Sequence, residues 1–156
     1  MGRALPVALI AAPAAVTKEL ASVLTEDVER VGVETFDHAA AEAKERQPDV
    51  VIVCYAFDEM RPFRLLQHLR QESRGAHVPT MLVRALPIPI GEAEEARIRE
   101  AYTTLGVDQF FNLNDEARRT DRAAALQKFR DAVRALLPRR PSKGNPDIAE
   151  RPAGVK

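Results

Sequence analysis

The sequence contains few of the residues on which common binding and catalytic motifs depend. It has one cysteine in 156 residues, so no internal disulfide can form, and it shows no zinc-ligand spacing. Its 23 basic and 23 acidic residues cancel, which leaves no overall field to attract nucleic acid. The apolar stretch at residues 5–16 resembles a short signal peptide, but Pro6 and Pro13 interrupt it and favour a buried strand. We therefore expect one globular domain in the cytoplasm, with no membrane contact.

Phosphate-binding and nucleophilic motifs are also missing. The turn at residues 11–15, Ala-Ala-Pro-Ala-Ala, lacks the glycines of a P-loop or a dinucleotide-binding motif. Ser22, Ser73 and Ser142 lie in no nucleophile elbow or triad context, and the three histidines lie in separate segments. We therefore expect no catalytic residue, no metal and no cofactor, and a function other than that of an enzyme.

The chain does show a regular alternation of apolar runs and amphipathic segments. The predicted strands are residues 7–11, 33–36, 50–55, 79–85 and 108–113. The predicted helices are residues 17–31, 37–46, 62–72, 92–105 and 115–137, with Gly32 ending the first and Asp37 capping the second. This order predicts a flavodoxin-like, doubly wound α/β fold with a five-stranded parallel sheet and five helices over residues 1–137. Residues 138–156, which contain four prolines, are expected to form a disordered tail.

Three segments point to a particular protein family more specifically than the alternation of strands and helices does. Residues 48–70, which begin Pro-Asp-Val-Val-Ile-Val-Cys, resemble the passage from the third strand into the third helix of bacterial response-regulator receiver domains. Residues 78–85 resemble the fourth strand of that family, and residues 105–111 resemble the Gly-Ala-Asp-Asp-Tyr passage into its fifth. The resemblance implies a receiver-like fold over residues 5–137.

The resemblance also implies where the chemistry of a receiver would lie, and this sequence departs from it there. The acidic pair that holds magnesium corresponds to Ala11 and Ala12, and the phosphate-accepting aspartate corresponds to Cys54. The hydroxyl residue that ends the family's fourth strand corresponds to Arg84 in this sequence. The lysine that follows the family's fifth strand corresponds to Leu113. We therefore interpret the chain as a degenerate, aspartate-less pseudo-receiver that acts through protein–protein interaction in bacterial signal transduction.

Two of these positions allow a second interpretation. Cys54 is either a small buried apolar residue or a redox-sensitive thiolate whose pKa is lowered by Arg84. Arg84 either pairs with Asp58 or Glu59 or binds an anion in the vacated pocket. The alternative function is therefore a ligand- or redox-sensing module that uses Arg84 and Cys54.

Four features of the sequence bear on the kind of partner that the protein would bind. The apolar loop Leu86, Pro87, Ile88, Pro89 and Ile90 either docks a protein or folds over the emptied pocket. By resemblance, the face formed by the fourth helix, fifth strand and fifth helix would bind a target or form a homodimer. Phe110, on the fifth strand, takes the position of the family's switch aromatic without its hydroxyl. The arginine-rich last helix favours a solvated, ion-paired face over a contact with nucleic acid.

Overall fold

The five apolar runs form one parallel sheet. The computed structural model describes residues 5–26, 28–60, 62–72, 77–86 and 89–137, so the predicted tail at 138–156 lies outside the described residues. The strands are β1 (Val7–Ala11), β2 (Glu29–Val33), β3 (Val50–Cys54), β4 (Thr80–Arg84) and β5 (Gln109–Asn112). Their order is β2-β1-β3-β4-β5, with every neighbouring pair parallel. The predicted doubly wound α/β fold is confirmed, and the strand order reverses next to β1.

Helices cover both faces of this sheet. They are α1 (Ala14–Ala21), α2 (Phe36–Arg46), α3 (Phe57–Met60), α4 (Pro62–Glu72), α5 (Glu92–Thr104), α6 (Leu113–Arg119) and α7 (Arg122–Leu136). The described residues thus contain two helices more than the sequence predicted. One is the single turn α3. The other results from a break in the predicted last helix, which is two helices, α6 and α7.

Two side-chain caps explain the break between α6 and α7. The Asn112 side chain accepts a hydrogen bond from the Asp115 backbone N at 3.0 Å and begins α6. The Asp121 side chain accepts one from the Ala124 backbone N at 2.8 Å and begins α7. Between the two helices Thr120 leaves the helical conformation, with φ −130° and ψ −102°. Both caps are residue types that favour helix starts, so the signal was present in the sequence.

The prediction for the first helix and second strand was wrong. Helix α1 ends at Ala21, and β2 begins at Glu29, four residues before the predicted strand. Gly32 therefore lies inside β2 and ends no helix. Leu24 and Val28, which continued the helical pattern, are buried in the connection between α1 and β2. The apolar spacing predicted correctly that these two side chains are buried, but it did not predict that their backbone is non-helical.

The second helix also has a different N-cap from the one that the sequence predicted. Helix α2 begins at Phe36, and the Thr35 hydroxyl oxygen accepts a hydrogen bond from the His38 backbone N at 3.2 Å. Thr35 is therefore the N-cap, and Asp37, predicted for that role, lies in the first turn. A carboxylate there still interacts favourably with the positive end of the helix dipole.

The sheet separates two apolar cores. Ile10, Ile52 and Met81 pack with α1, α6 and α7 on one face. Leu9, Val53 and Leu82 pack with α2, α4 and α5 on the other. Strand β3 is buried along its whole length, as expected for the central strand of a parallel sheet covered on both sides. None of the described helices is both long and apolar enough to cross a membrane.

Candidate functional site

Four of the five positions that correspond to receiver chemistry, all except Arg84, lie buried at the carboxyl edge of the sheet. Ala11, Ala12 and Leu113 are fully buried, and Cys54 is 1% exposed. Ala12, Cys54, Ala85 and Leu113 belong to the same apolar cluster, on the face of α1 and α7. Apolar side chains and one thiol therefore occupy the buried positions to which the resemblance assigned oxygen ligands.

This composition does not fit a magnesium ion. Magnesium requires oxygen ligands in near-octahedral geometry, and the alanine side chains at positions 11 and 12 provide none. Among the described residues, no group of three histidine, cysteine, aspartate or glutamate side chains is placed to hold a metal ion.

The environment of Cys54 stabilises the protonated thiol. Burial raises the pKa of Cys54, and this effect outweighs hydrogen bonds with the backbone at Ala56 and Ala85. Cys54 belongs to the core on one face of the sheet, whereas the Arg84 guanidinium lies 5.7 Å from the ring centre of Tyr55, which belongs to the other core. The geometry thus provides no basis for an arginine-activated thiolate.

Arg84 forms an ion pair, one of the two roles predicted for it, but with a partner that the sequence analysis did not predict. Its Nη1 lies 3.1 Å from Oε1 of Glu95, on the first turn of α5, and the Arg84 side chain is only 14% exposed. Of the two predicted partners, Asp58 accepts a hydrogen bond from the Phe36 backbone N at 2.8 Å, and the side chain of Glu59 lies outside the described residues. Glu95 follows Arg84 by eleven residues across a loop, so no helical spacing could reveal the pair.

The ion pair continues to the predicted switch aromatic. Glu95 Oε2 lies 3.8 Å from Nε of Arg99, one turn further along α5. The Arg99 guanidinium in turn lies 4.8 Å from the ring centre of Phe110 on β5, a cation–π contact. Phe110 is half-buried and packs against the core on that face. A continuous series of charged and aromatic contacts thus joins the end of β4, helix α5 and strand β5.

A second polar network lies at the start of α7. Arg122 donates two hydrogen bonds of 2.7 Å to the two carboxylate oxygens of Glu19 on α1. The Arg122 hydrogen bonds lower the pKa of Glu19, and the same contacts raise the pKa of Arg122. Arg122 also donates to the Ala85 carbonyl at 3.4 Å and to Oδ1 of Asn114 at 3.3 Å. The sequence analysis had placed Arg122 among the ion-paired arginines without identifying this partner.

The loop after β4 is held at both ends. The Asn114 side-chain NH₂ donates to the Leu86 carbonyl at 2.8 Å, while the Leu86 side chain is 37% exposed. At the other end, Pro89 is exposed and Ile90 packs partly on the core of α2, α4 and α5. Pro87 and Ile88, the middle of the predicted docking loop, lie outside the described residues. An open cleft of about 470 Å³ lies between this loop, α5 and α6.

Comparison by sequence finds no match to this chain. No family model matches it, and no curated protein matches it at a significant level.

Comparison by structure finds receiver domains. The chemotaxis response regulator CheY4 of Vibrio cholerae is 14% identical, with a TM-score of 0.62, over 86% of this chain and 100% of that one. A DNA-binding response regulator of the LuxR family from Staphylococcus aureus is 14% identical, with a TM-score of 0.62, over 85% and 98%. The phosphorylated cyanobacterial phytochrome response regulator RcpA is 14% identical, with a TM-score of 0.61, over 83% and 91%. The chain therefore has the fold of response-regulator receiver domains.

Proposed function

We propose that this protein is a receiver-like signalling module that works without phosphorylation, through protein–protein interaction in bacterial signal transduction. The observation that carries the proposal is the packing of Ala12, Cys54 and Leu113 into one buried apolar cluster at the carboxyl edge of the sheet. The fold is retained while the groups that perform its usual chemistry are replaced by core residues.

The chemistry of phosphoryl transfer supports this proposal. An acyl phosphate needs a carboxylate acceptor, and a thiol at position 54 is not one. Transfer also depends on a metal or cationic groups that neutralise the charge on the phosphoryl oxygens. Ala11 and Ala12 provide no metal ligand, and the fully buried Leu113 provides no cation.

The charged contacts near β5 favour a single conformation of the protein surface formed by α5 and β5. The pair between Arg84 and Glu95 forms without a covalent modification, unlike a contact made by a phosphoryl group. Through Arg99 the contacts reach Phe110, the position of the switch aromatic. We infer that the face formed by α5, β5 and α7 is presented to a partner, or to a second copy of the chain, in one conformation. Control would then come from partner binding or abundance.

The first prediction concerns phosphorylation. After incubation with acetyl phosphate and Mg²⁺, the intact mass of the protein is expected to show no added phosphoryl group. A phosphorylatable receiver domain treated in parallel serves as the positive control. A stable adduct on any aspartate, including the partly buried Asp49 and Asp58, would contradict the proposal.

The second prediction separates this proposal from the redox-sensing alternative. Because burial raises the pKa of Cys54, a thiol probe is expected to label it slowly in the native protein and rapidly only after unfolding. The matched control is Ser22→Cys in a Cys54→Ala background, which places the same thiol on an exposed position and should label at once. Native labelling of Cys54 at the rate of that control would favour the sensing alternative.

A further inference from the structure

Strand β2 is an outer strand of the sheet with an exposed edge. Three of its five residues, Glu29, Arg30 and Gly32, are exposed, whereas all four residues of the other outer strand, β5, are half-buried. Strand β2 contains no proline, and its register with β1 is unbroken by a bulge. Prolines and bulges are common means by which proteins prevent an outer strand from pairing with another chain. Strand β2 is therefore a regular template for a further strand.

The backbone of β2 directs every second residue away from β1. The backbone N of Glu29 and the carbonyl of Val33 form hydrogen bonds of 2.7 and 3.1 Å with the segment that contains β1. In a strand, the N–H and C=O groups of one residue point to the same side, and those of the next residue point to the opposite side. Arg30 and Gly32 therefore direct both groups outward, where no described strand lies, and the N–H of Glu34 also points outward.

The charged residues on the two sides of Gly32 have opposite signs. Residues 30–34 read Arg-Val-Gly-Val-Glu, and both charged residues are exposed. Four residues of extended chain separate the two charges by about 13 Å, so they cannot form an ion pair within one chain. The Arg30 guanidinium donates to the Ala21 carbonyl at 3.1 Å, which occupies one of its five N–H donors. The segment is therefore complementary in charge to an antiparallel copy of itself.

We propose that this protein forms a symmetric dimer in which the β2 strands of two copies pair antiparallel about Gly32. Gly32 of one copy exchanges backbone hydrogen bonds with Gly32 of the other, and Arg30 of each copy lies opposite Glu34 of the other copy. A two-fold axis at Arg30 or Glu34 would place like charges opposite each other. An axis at Val31 or Val33 would leave both charges without an opposite one. Charge and backbone direction thus select one register.

This dimer leaves the face formed by α5, β5 and α7 available. Strands β2 and β5 lie at opposite ends of the sheet, so a second copy on β2 does not cover that face. The dimer presents two such faces, one at each end of a continuous sheet. The inference goes beyond the proposed function, which does not depend on it, because a monomer presents the same face.

Sedimentation equilibrium on the full-length protein tests the dimer. The wild type is expected to reach twice the mass of one chain as its concentration rises. Arg30→Glu and Glu34→Arg each place like charges opposite each other at two sites, and each should raise the dissociation constant about ten- to a hundredfold. The double variant Arg30→Glu/Glu34→Arg exchanges the charges and should restore the dimer. Arg97→Glu, which reverses an exposed arginine on α5, is the matched control and should leave the dissociation constant unchanged.

Amide hydrogen exchange in the wild type tests the register without any variant. The amides of Arg30, Gly32 and Glu34 should exchange more slowly in the concentrated dimer than in the diluted monomer. The amides of Val31 and Val33 face β1 in both states and should show no such difference. Protection of the first three amides in a monomer would contradict the proposal, because it would mean that another segment of the chain covers β2.

Three results of the sedimentation experiment would overturn the proposal. One is a wild type that remains a monomer at submillimolar concentration. Another is a dimer that Arg97→Glu dissociates and Arg30→Glu does not, which would place the second copy on α5. The third is a double variant that fails to restore the dimer lost in the single variants. None of these results affects the phosphodonor experiment, so failure of the dimer and failure of the proposed function can be told apart.

Discussion

Replacing Cys54 with aspartate is expected to destabilise the protein without making it phosphorylatable. The new carboxylate would replace a side chain that is 1% exposed and packed among apolar groups. An uncompensated charge in such a place costs about 3–5 kcal/mol of the free energy of unfolding, or the carboxyl stays protonated with a raised pKa. Urea denaturation at pH 7 measures the loss.

The controls isolate charge from size. Cys54→Ala removes the sulfur without adding charge and should cost only about 1 kcal/mol. The mass of Cys54→Asp after treatment with acetyl phosphate and Mg²⁺ should still show no phosphoryl group, because Ala11 and Ala12 remain. If Cys54→Asp were as stable as Cys54→Ala and accepted phosphate, the pocket would be open and the reading of a filled site would be wrong.

A second large effect on the free energy of unfolding is expected at the amino edge of the sheet, where β4 and β5 begin. Arg70, half-buried near the end of α4, donates hydrogen bonds to the carbonyls of Leu105, Gly106 and Val78 and to the Thr80 hydroxyl. Burial lowers the pKa of Arg70, yet the guanidinium remains charged at neutral pH. Arg70→Met keeps much of the packing but leaves these acceptors without their donor, which should cost about 2–4 kcal/mol.

Thermal and urea unfolding of Arg70→Met measure this cost. Arg118→Met is the matched control, because the Arg118 side chain is 72% exposed and forms an ion pair with Asp115 on its own helix. The control should change the free energy of unfolding by less than about 0.5 kcal/mol. Equal effects of the two substitutions would show that the Arg70 hydrogen bonds do not stabilise the junction of α4, β4 and the turn before β5.

Much of the fold was predictable because buried strands and amphipathic helices leave strong local patterns. Strand β1 and helix α4 have the predicted bounds. Strand β3 ends one residue before its predicted end, and β4 and β5 are each one residue shorter than predicted at both ends. The predictions failed where a local apolar pattern is compatible with two different backbone conformations. Leu24 and Val28 follow a helical spacing although they lie in the connection between α1 and β2. The N-caps at Asn112 and Asp121 divide into two helices a segment whose apolar pattern predicts one.

The candidate site was predictable in part. The sequence placed Ala11, Ala12, Cys54, Arg84 and Leu113 near one another. The structure brings Ala12, Cys54 and Leu113 into one cluster, whereas Ala11 packs in the core on the other face of the sheet and Arg84 contacts Tyr55 of that other core. The sequence could not show that core side chains fill this region, because the burial of each position depends on every element packed around it. The partner of Arg84 was also missed, since Glu95 reaches it across a loop rather than within one helix.

The sequence by itself therefore determined the order of strands and helices along the chain and the chemical identity of each residue at the sheet edge, including the missing carboxylates. Only the tertiary structure decided which charged groups meet. Glu19 and Arg122 are 103 positions apart, and Arg70 reaches Leu105 across 35 positions. Local patterns specify backbone periodicity over a few residues, whereas such pairs depend on how helices dock on the sheet. The run that ends in Cys54 is a central core strand, and ion-paired side chains lie around it, at the end of β4, on α5 and at the start of α7.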